Sequence, residues 1–564
     1  MTIPPLGSRV ALQCARRAHN DHDPTQSDIE LIEVPPTRWT LAGIEFEDQV
    51  AGYLLDLLGS SCADLRRLPH REAMEETHEA MAQGIPVILG GALPDDLTGD
   101  RRGRPDLLVS WGEGATGSAA YLPADIKSHS VIKEAKRGSI DLTPLSQLAH
   151  TPSADNQSGL TPNTAYRAND LMQLAHYWRM LEACGRAATM DPIAGLIGSD
   201  TFTTPEPFIV WQSLTDPVFT TFSRSRGTAK RSALERYDHE FDFRLKVIEV
   251  AQQQGEPDAP EPLVRPIIVE ECDSCPWHDV CLADVGELEP SRHISSGRLS
   301  LREWNALRAI GIVTLQDLAA LDLADPRLDD YWGEIAVPEK RARAKLADAI
   351  VRAQMTMSDQ MLRPLGGAVD TIPRADVEVD FDLEWDSDGR IYLWGMLISD
   401  QTEERSDSLY SWAPLDDTAE DALAASAIAR LTELRDQAAA QGKSFLVYHY
   451  SHPEISMVRN LIQRGGSSLP SEAWWEEFTG DHFVDLLAYV KQRFIGRQGL
   501  GLKVVAREAG FDWDGDDANG EASMDWIDEA RSDDPTAREE ARARLLRYNE
   551  DDVAATLAVR RWLE

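Results

Sequence analysis

The chain has 564 residues, 42% of them apolar and 27% charged, and its 95 acidic residues outnumber the 56 basic ones for a net charge of −39. That length exceeds what one hydrophobic core supports, so roughly two to four domains are expected. The acidity excludes a protein that coats nucleic acid through bulk charge. It leaves open enzymes whose carboxylates hold a catalytic metal. No apolar run reaches about 18 residues, so no membrane span is expected. The start, MTIPPLGSRVALQCARRAHND, lacks a charged stretch followed by an apolar one, so no signal peptide is expected. The expected location is the cytoplasm, where thiols stay reduced.

In chain order, GIEFEDQVAGYLLDLLG (43–59) has helical apolar spacing. RPDLLVSW (104–111) and YLPADIKSH (121–129) read as two strands joined by the Gly-rich GEGATGSAA. Positions 143–166 are polar and turn-rich and read as an insertion or mobile loop. NDLMQLAHYWRMLEACG (169–185) reads as a helix closed by Gly185. AQQQGEPDAPEP (251–262) reads as a linker, and shifts at 286–298 and 363–374 suggest further boundaries. In SLREWNALRAIGIVTLQDLAALD (300–322), Ser300 and Glu303 make a capping box, Gly311 closes the first helix and Thr314 can cap a second. VEVDFDLEW (377–385), IYLWGMLIS (391–399) and KSFLVYHY (443–450) read as strands, and a long helix runs through 541–563. Strands first and helices after predict an α/β domain with a mixed sheet. Local basic stretches at Arg101, Arg102 and Arg104, at 127–137 and at 223–231 read as solvated faces or as a basic channel. No internal repeat of fixed period occurs.

The first chemical constellation is Pro105-Asp106, then Asp125-Ile126-Lys127. Asp125 and Lys127 are two apart on a strand and share a face. Two carboxylates can hold a hard cation, and an ammonium beside them can orient a metal-bound water for attack on a phosphodiester. Pro-Asp…Asp-x-Lys resembles the signature of the PD-(D/E)xK nucleases. The RecB-like members add Gln-x3-Tyr, matched here by Gln173 and Tyr177, and an upstream Gly-x3-His, where this chain has Gly43-x3-Glu47. The resemblance implies a restriction-endonuclease-like core with Glu47, Asp106 and Asp125 on metal, and Lys127, Gln173 and Tyr177 beside them.

Cys272, Cys275 and Cys281 form C-x2-C-x5-C. Thiolates suit iron–sulfur or zinc, so chemistry alone leaves both open. Some RecB-like nucleases carry a 4Fe–4S cluster on three such cysteines and one distant one. That resemblance implies Cys14 as the fourth ligand. The alternative is zinc with Cys14 or His278. Cys62 and Cys184 lie in helical apolar patterns and read as core thiols.

The second constellation lies near the C-terminus. Asp382 and Glu384 alternate to one strand face, and Tyr548 and Asp552 lie one helical turn apart. This resembles the Tyr-type DEDD 3′–5′ exonucleases of the RNase H-like superfamily. In them acids bind two metal ions and a Tyr positions the attacking water. The expected middle acid is Glu454. Asp485 is a further contributor, and Asp380 competes with Asp382.

The expected architecture is therefore an α/β multidomain chain. Residues 1–285 form the PD-(D/E)xK unit with its cysteine clasp, 290–355 a small helix–hairpin–helix-like module or spacer, and 373–564 the RNase H-like domain. The expected function is a nuclease dependent on Mg or Mn. Its expected substrate is DNA, single-stranded or at ends, with RNA open, in repair, recombination or defence. The chain has no G-x4-G-K-[ST], so unwinding would need a helicase partner. The competing class is a non-catalytic nucleic-acid-binding adaptor that keeps nuclease folds.

Overall fold

A computed structural model describes residues 3–564 except 32–33, 35, 115–116, 150–153, 224–226, 295–298, 336–338, 368, 401–402, 467 and 514–519, without the side chains of 38–39, 339 and 520–522. The chain divides into two compact units. One holds residues 1–292, 296–314 and 321–347; the other holds 293–295, 315–320 and 348–564. The helical segment 290–355 is shared between them. Part of the basic stretch 223–231, of the joining segment 112–120 and of the boundary 286–298 lies outside the described residues. Among the described residues no helix is long and apolar enough to cross a membrane.

The first unit is built on eight strands: β1 (Cys62–Asp64), β2 (Val87–Leu89), β3 (Leu107–Glu113), β4 (Ala119–Lys127), β5 (Ile132–Pro144), β6 (Asp155–Pro162), β7 (Ile193–Gly198) and β8 (Phe208–Ser213), in spatial order β1-β2-β3-β4-β7-β8-β5-β6. Central β4 pairs antiparallel with β3 and parallel with β7. It is buried on both faces, which explains its near-continuous apolar run. Strand β6 occupies much of the segment expected as a mobile loop. Its first half, 155–159, is exposed on both faces at the sheet edge and Leu160 alone packs on the core, so no alternation marks it. The helices that matter for the site are α1 (Ala15–Asn20), α2 (Arg38–Leu58), α3 (Arg167–Ala183), α4 (Ala233–Ala251) and α5 (His278–Val285). Ser300 and Glu303 form the expected capping box at the start of helix Leu301–Ala309, and Gly311 follows it with φ +85°.

The second unit carries β9 (Val377–Trp385), β10 (Ile391–Asp400), β11 (Glu404–Ser406), β12 (Leu409–Tyr410), β13 (Phe445–His449) and β14 (Phe483–Asp485). The order is β11-β10-β9-β13-β14, with β12 on β10. Strand β9 runs antiparallel to β10 and parallel to β13. Its helices include α6 (Asp417–Ala440), α7 (Pro453–Arg464), α8 (Leu486–Arg493), α9 (Leu502–Glu508) and α10 (Pro535–Trp562).

Alternation along β9 sorts its residues by chemistry. Val379, Phe381 and Leu383 join a core with Ala427, Ile428 and Leu431 of α6. Glu378, Asp380, Asp382 and Glu384 take the other face, against α10. Asp534 caps α10 by accepting from Thr536 N at 2.8 Å, with Pro535 at the first helical position.

Candidate active sites

In the first unit, Asp106 stands just before β3 and Asp125 near the end of β4, and the antiparallel register brings them together. The Asp106 backbone N–H points at Asp125 Oδ1 at 3.5 Å, and Ile126 N–H donates to Asp106 Oδ2 at 2.8 Å. Lys127 Nζ pairs with Asp125 Oδ2 at 3.1 Å and donates to Gln173 Oε1 at 3.3 Å. Gln173 Nε2 in turn donates to the Tyr177 hydroxyl at 3.0 Å, which lies 3.2 Å from Ser8 Oγ. Glu47 on α2 lines the same cleft as Asp106. The fold thus gathers all six expected residues.

Burial, then the charge of Asp125, pushes the Asp106 carboxyl well above its usual range. Burial raises Glu47 as well, against the pull of Lys127. Burial works against the Lys127 ammonium, but Asp125 and Asp106 hold it protonated, above its usual value. This is an oxygen-rich cleft, lined also by Asp48, Arg66 and Arg104, whose carboxylates are a donor set that fits a hard divalent ion. Beyond it, His129 pairs with Asp170 at 3.0 Å. His176, beside Tyr177, is structural: its Nε2 lies 3.0 Å from the Arg102 carbonyl, to which it donates, and its Nδ1 lies 2.7 Å from the Tyr237 hydroxyl.

Cys14, Cys272, Cys275 and Cys281 are free thiols lining one small cavity with Arg16, Arg17 and His278. Asn20 Nδ2 lies 3.6 Å from Cys281 Sγ. The N-terminal segment is anchored there: Cys14 N–H donates to Glu271 at 2.8 Å, Trp277 Nε1 to Asp21 at 2.6 Å, and Arg244 on α4 to the Gln13 carbonyl at 2.7 Å. The buried Nε atoms of Arg16 and Arg17 have no hydrogen-bond partner among the described residues. Cys62 opens strand β1 rather than lying in a helix, and Cys184 follows the end of α3; both are half-buried, and burial raises both thiols, Cys62 to about 12.

In the second unit, Asp382, Glu384 and Asp552 bring carboxylate oxygens within 4.8 Å of one another. Burial and then the charges of Asp552, Glu384 and Glu454 push Asp382 well above its usual range. Burial, then Asp552, raises Glu384 to about 8. Burial raises Asp552 to about 6 against hydrogen bonds from Trp513 and Tyr548. Trp513 Nε1 donates to Asp552 Oδ1 at 2.7 Å. Three carboxylates held this close fit a metal-binding set.

Glu454, in the first turn of α7, is buried, with Oε2 3.7 Å from His449 Nδ1. Neither atom has a hydrogen-bond partner among the described residues. Asp380 does not compete with Asp382, because Arg560 grips it through Nε at 3.0 Å and Nη2 at 2.8 Å. Asp485 is a brace: its Oδ1 accepts from Leu487 N at 2.9 Å and Ser451 N at 3.0 Å, fixing the turn before Glu454, where Ser451 adopts φ +87°.

Sequence reasoning missed Asn549, which donates to Asp382 Oδ2 at 2.9 Å, and Lys503. Asn549 sits within the YNEDD motif and was readable as a neighbour of Tyr548; GLGLKVV carries no signal for Lys503.

The order β11-β10-β9-β13-β14 puts acids on a central strand and on the C-terminal helix packed against it. A family model described as RNase_H superfamily matches residues 379–564. That places the C-terminal unit among folds of nuclease-type hydrolases. No curated protein and no solved structure matches the chain.

Proposed function

We propose that this protein is a metal-dependent nuclease with two separate hydrolytic sites. The observation that carries the reading is the convergence of Asp382, Glu384 and Asp552 on an RNase H-like sheet. With Glu454 they would hold Mg²⁺ or Mn²⁺, which when bound supply Lewis acidity and an activated water. Tyr548, one helical turn before Asp552 on α10, would orient the attacking water in a Tyr-type exonuclease. The 3′ end of DNA or RNA is the substrate of this site.

Glu47, Asp106, Asp125 and Lys127 make up a PD-(D/E)xK site of RecB-like type, which cuts DNA at single strands or ends. Gln173 holds Lys127 in place. The four cysteines hold a 4Fe–4S cluster that ties the first unit's ends together. What supports the reading is that Cys14 and, far along the chain, Cys272, Cys275 and Cys281 line one cavity, a thiolate set that suits iron–sulfur or zinc.

The test uses anaerobically purified protein, Mg²⁺ or Mn²⁺, and end-labelled single-stranded DNA, duplex DNA and RNA. Wild type is compared with Asp125→Ala, Asp382→Ala and the double variant. Each single variant should remove one class of product. Absence of cleavage on every substrate would refute the reading, and cleavage that survives in the double variant would refute the sites.

A further inference from the structure

Lys503, on α9, takes no part in the chemistry described above. Its ammonium nitrogen is closed off from solvent, yet has no hydrogen-bond partner among the described residues. Two rings hold it: the nitrogen lies 5.0 Å from the ring centroid of Tyr548 and 5.7 Å from that of Trp513. Trp513 also donates to Asp552 at 2.7 Å, and Tyr548 lies one helical turn before Asp552 on α10. The charge is therefore fixed at the carboxylate set, and it favours the ionised forms of Glu384 and Asp552.

A buried ammonium with unused donors is costly, and ring faces offset only part of that cost because they accept no conventional hydrogen bond. The carboxylates beside it are the groups that a divalent metal would claim. What remains for the lysine is the other charged species that a phosphodiester hydrolase must admit, an anionic phosphate oxygen. Resting on the reading of this site as such a hydrolase, we propose that Lys503 binds the backbone phosphate at the cleavage position, donating an N–H to a non-bridging oxygen. In the free protein the same charge restrains the mutual repulsion of the acids; with substrate present it contacts the phosphate.

The test compares Lys503 with Lys503→Met and Lys503→Arg in full-length protein carrying Asp125→Ala, so that the other constellation is silent. Binding of a fluorescent single-stranded oligonucleotide is measured in Ca²⁺ between roughly 50 and 200 mM salt, where log affinity falls linearly with log salt. Lys503→Met should weaken binding about tenfold and reduce the salt slope by about 0.7, one contact on a single strand, while Lys503→Arg keeps the slope. In turnover with Mn²⁺, Lys503→Met should raise KM, and Lys503→Arg should restore it.

An unchanged slope in Lys503→Met, whether with a lower melting temperature or with tighter Mn²⁺ binding, overturns the proposal: the lysine then only packs or only balances the acids. If hydrolysis depends on Asp382 but the slope does not depend on Lys503, the hydrolase reading stands and this proposal falls. If the slope depends on Lys503 but nothing is hydrolysed, the phosphate contact stands and the hydrolase reading falls.

Discussion

Arg560 forks onto Asp380 with hydrogen bonds of 3.0 and 2.8 Å and also reaches Glu378, while Asp382, two residues further along the same strand face, receives the neutral Asn549 amide at 2.9 Å. One row of four acids on β9 is thus divided by one helix. The C-terminal end of α10 neutralises the first two acids, and its middle adds a further carboxylate to the last two.

Replacing Arg560 by Met strands the buried carboxylate of Asp380, while Glu378 keeps Arg374 at 2.6 and 3.0 Å. Breaking a buried pair from one side costs roughly 3–5 kcal/mol. Chemical denaturation of Arg560→Met should show that loss, whereas Asp382→Ala should not lower stability, because it relieves repulsion. A stable Arg560→Met variant would contradict the division of labour along β9.

Gly395 lies opposite Asp382 in the β9–β10 register, and a Cβ there would meet Asn549 Oδ1 at 1.9 Å. Gly395→Ala should therefore displace Asn549 from Asp382 and cost about 1–3 kcal/mol of overpacking. Its trimming activity should fall with that of Asn549→Ala, and the double variant should be no worse than either alone. Additive losses would disprove the shared cause.

Burial and mutual repulsion raise Glu384 to about 8 and Asp552 to about 6 in the folded, metal-free protein. In the unfolded chain these groups titrate near 4.3 and 3.9. Between those values the folded state keeps protons that the unfolded chain has lost, so stability falls as pH rises from about 4 to about 8. Melting temperatures in EDTA should decline over that interval. Glu384→Gln should flatten the upper part, and saturating Mn²⁺, which binds the ionised forms, should oppose the decline.

Cys14→Ala should lower iron content and the melting temperature of the first unit. If the lost stability is a few kcal/mol, a shift of roughly 5–10 °C follows, at about 2–4 °C per kcal/mol for a unit of this size. Full iron content in the variant would remove Cys14 from the ligand set.

Much of this was readable from residues because local spacing encodes it. Asp125 and Lys127 share a face by strand alternation, Gln173 and Tyr177 by helical repeat, and Tyr548 and Asp552 likewise. Whether Asp380 or Asp382 belonged to the site was not readable. Both share the acidic face, and only the position of Arg560, 180 residues later, decides between them. Lys503 was invisible for the same reason: its meaning comes from two rings and a carboxylate contributed by other segments. Strand β6 escaped because its first half, solvated on both faces at the sheet edge, lacks the alternation that marks its neighbours.

The anchoring of the first unit's N-terminal segment has a consequence for biosynthesis. Gln13, Cys14 and Asp21 find their partners at Arg244, Glu271 and Trp277. At about 5–20 residues per second, that segment waits on the order of 15–50 s on the ribosome before Trp277 is made. Throughout that interval Cys14 is a bare thiol in an unfinished unit, and the earliest-made part of the unit is among the last to settle.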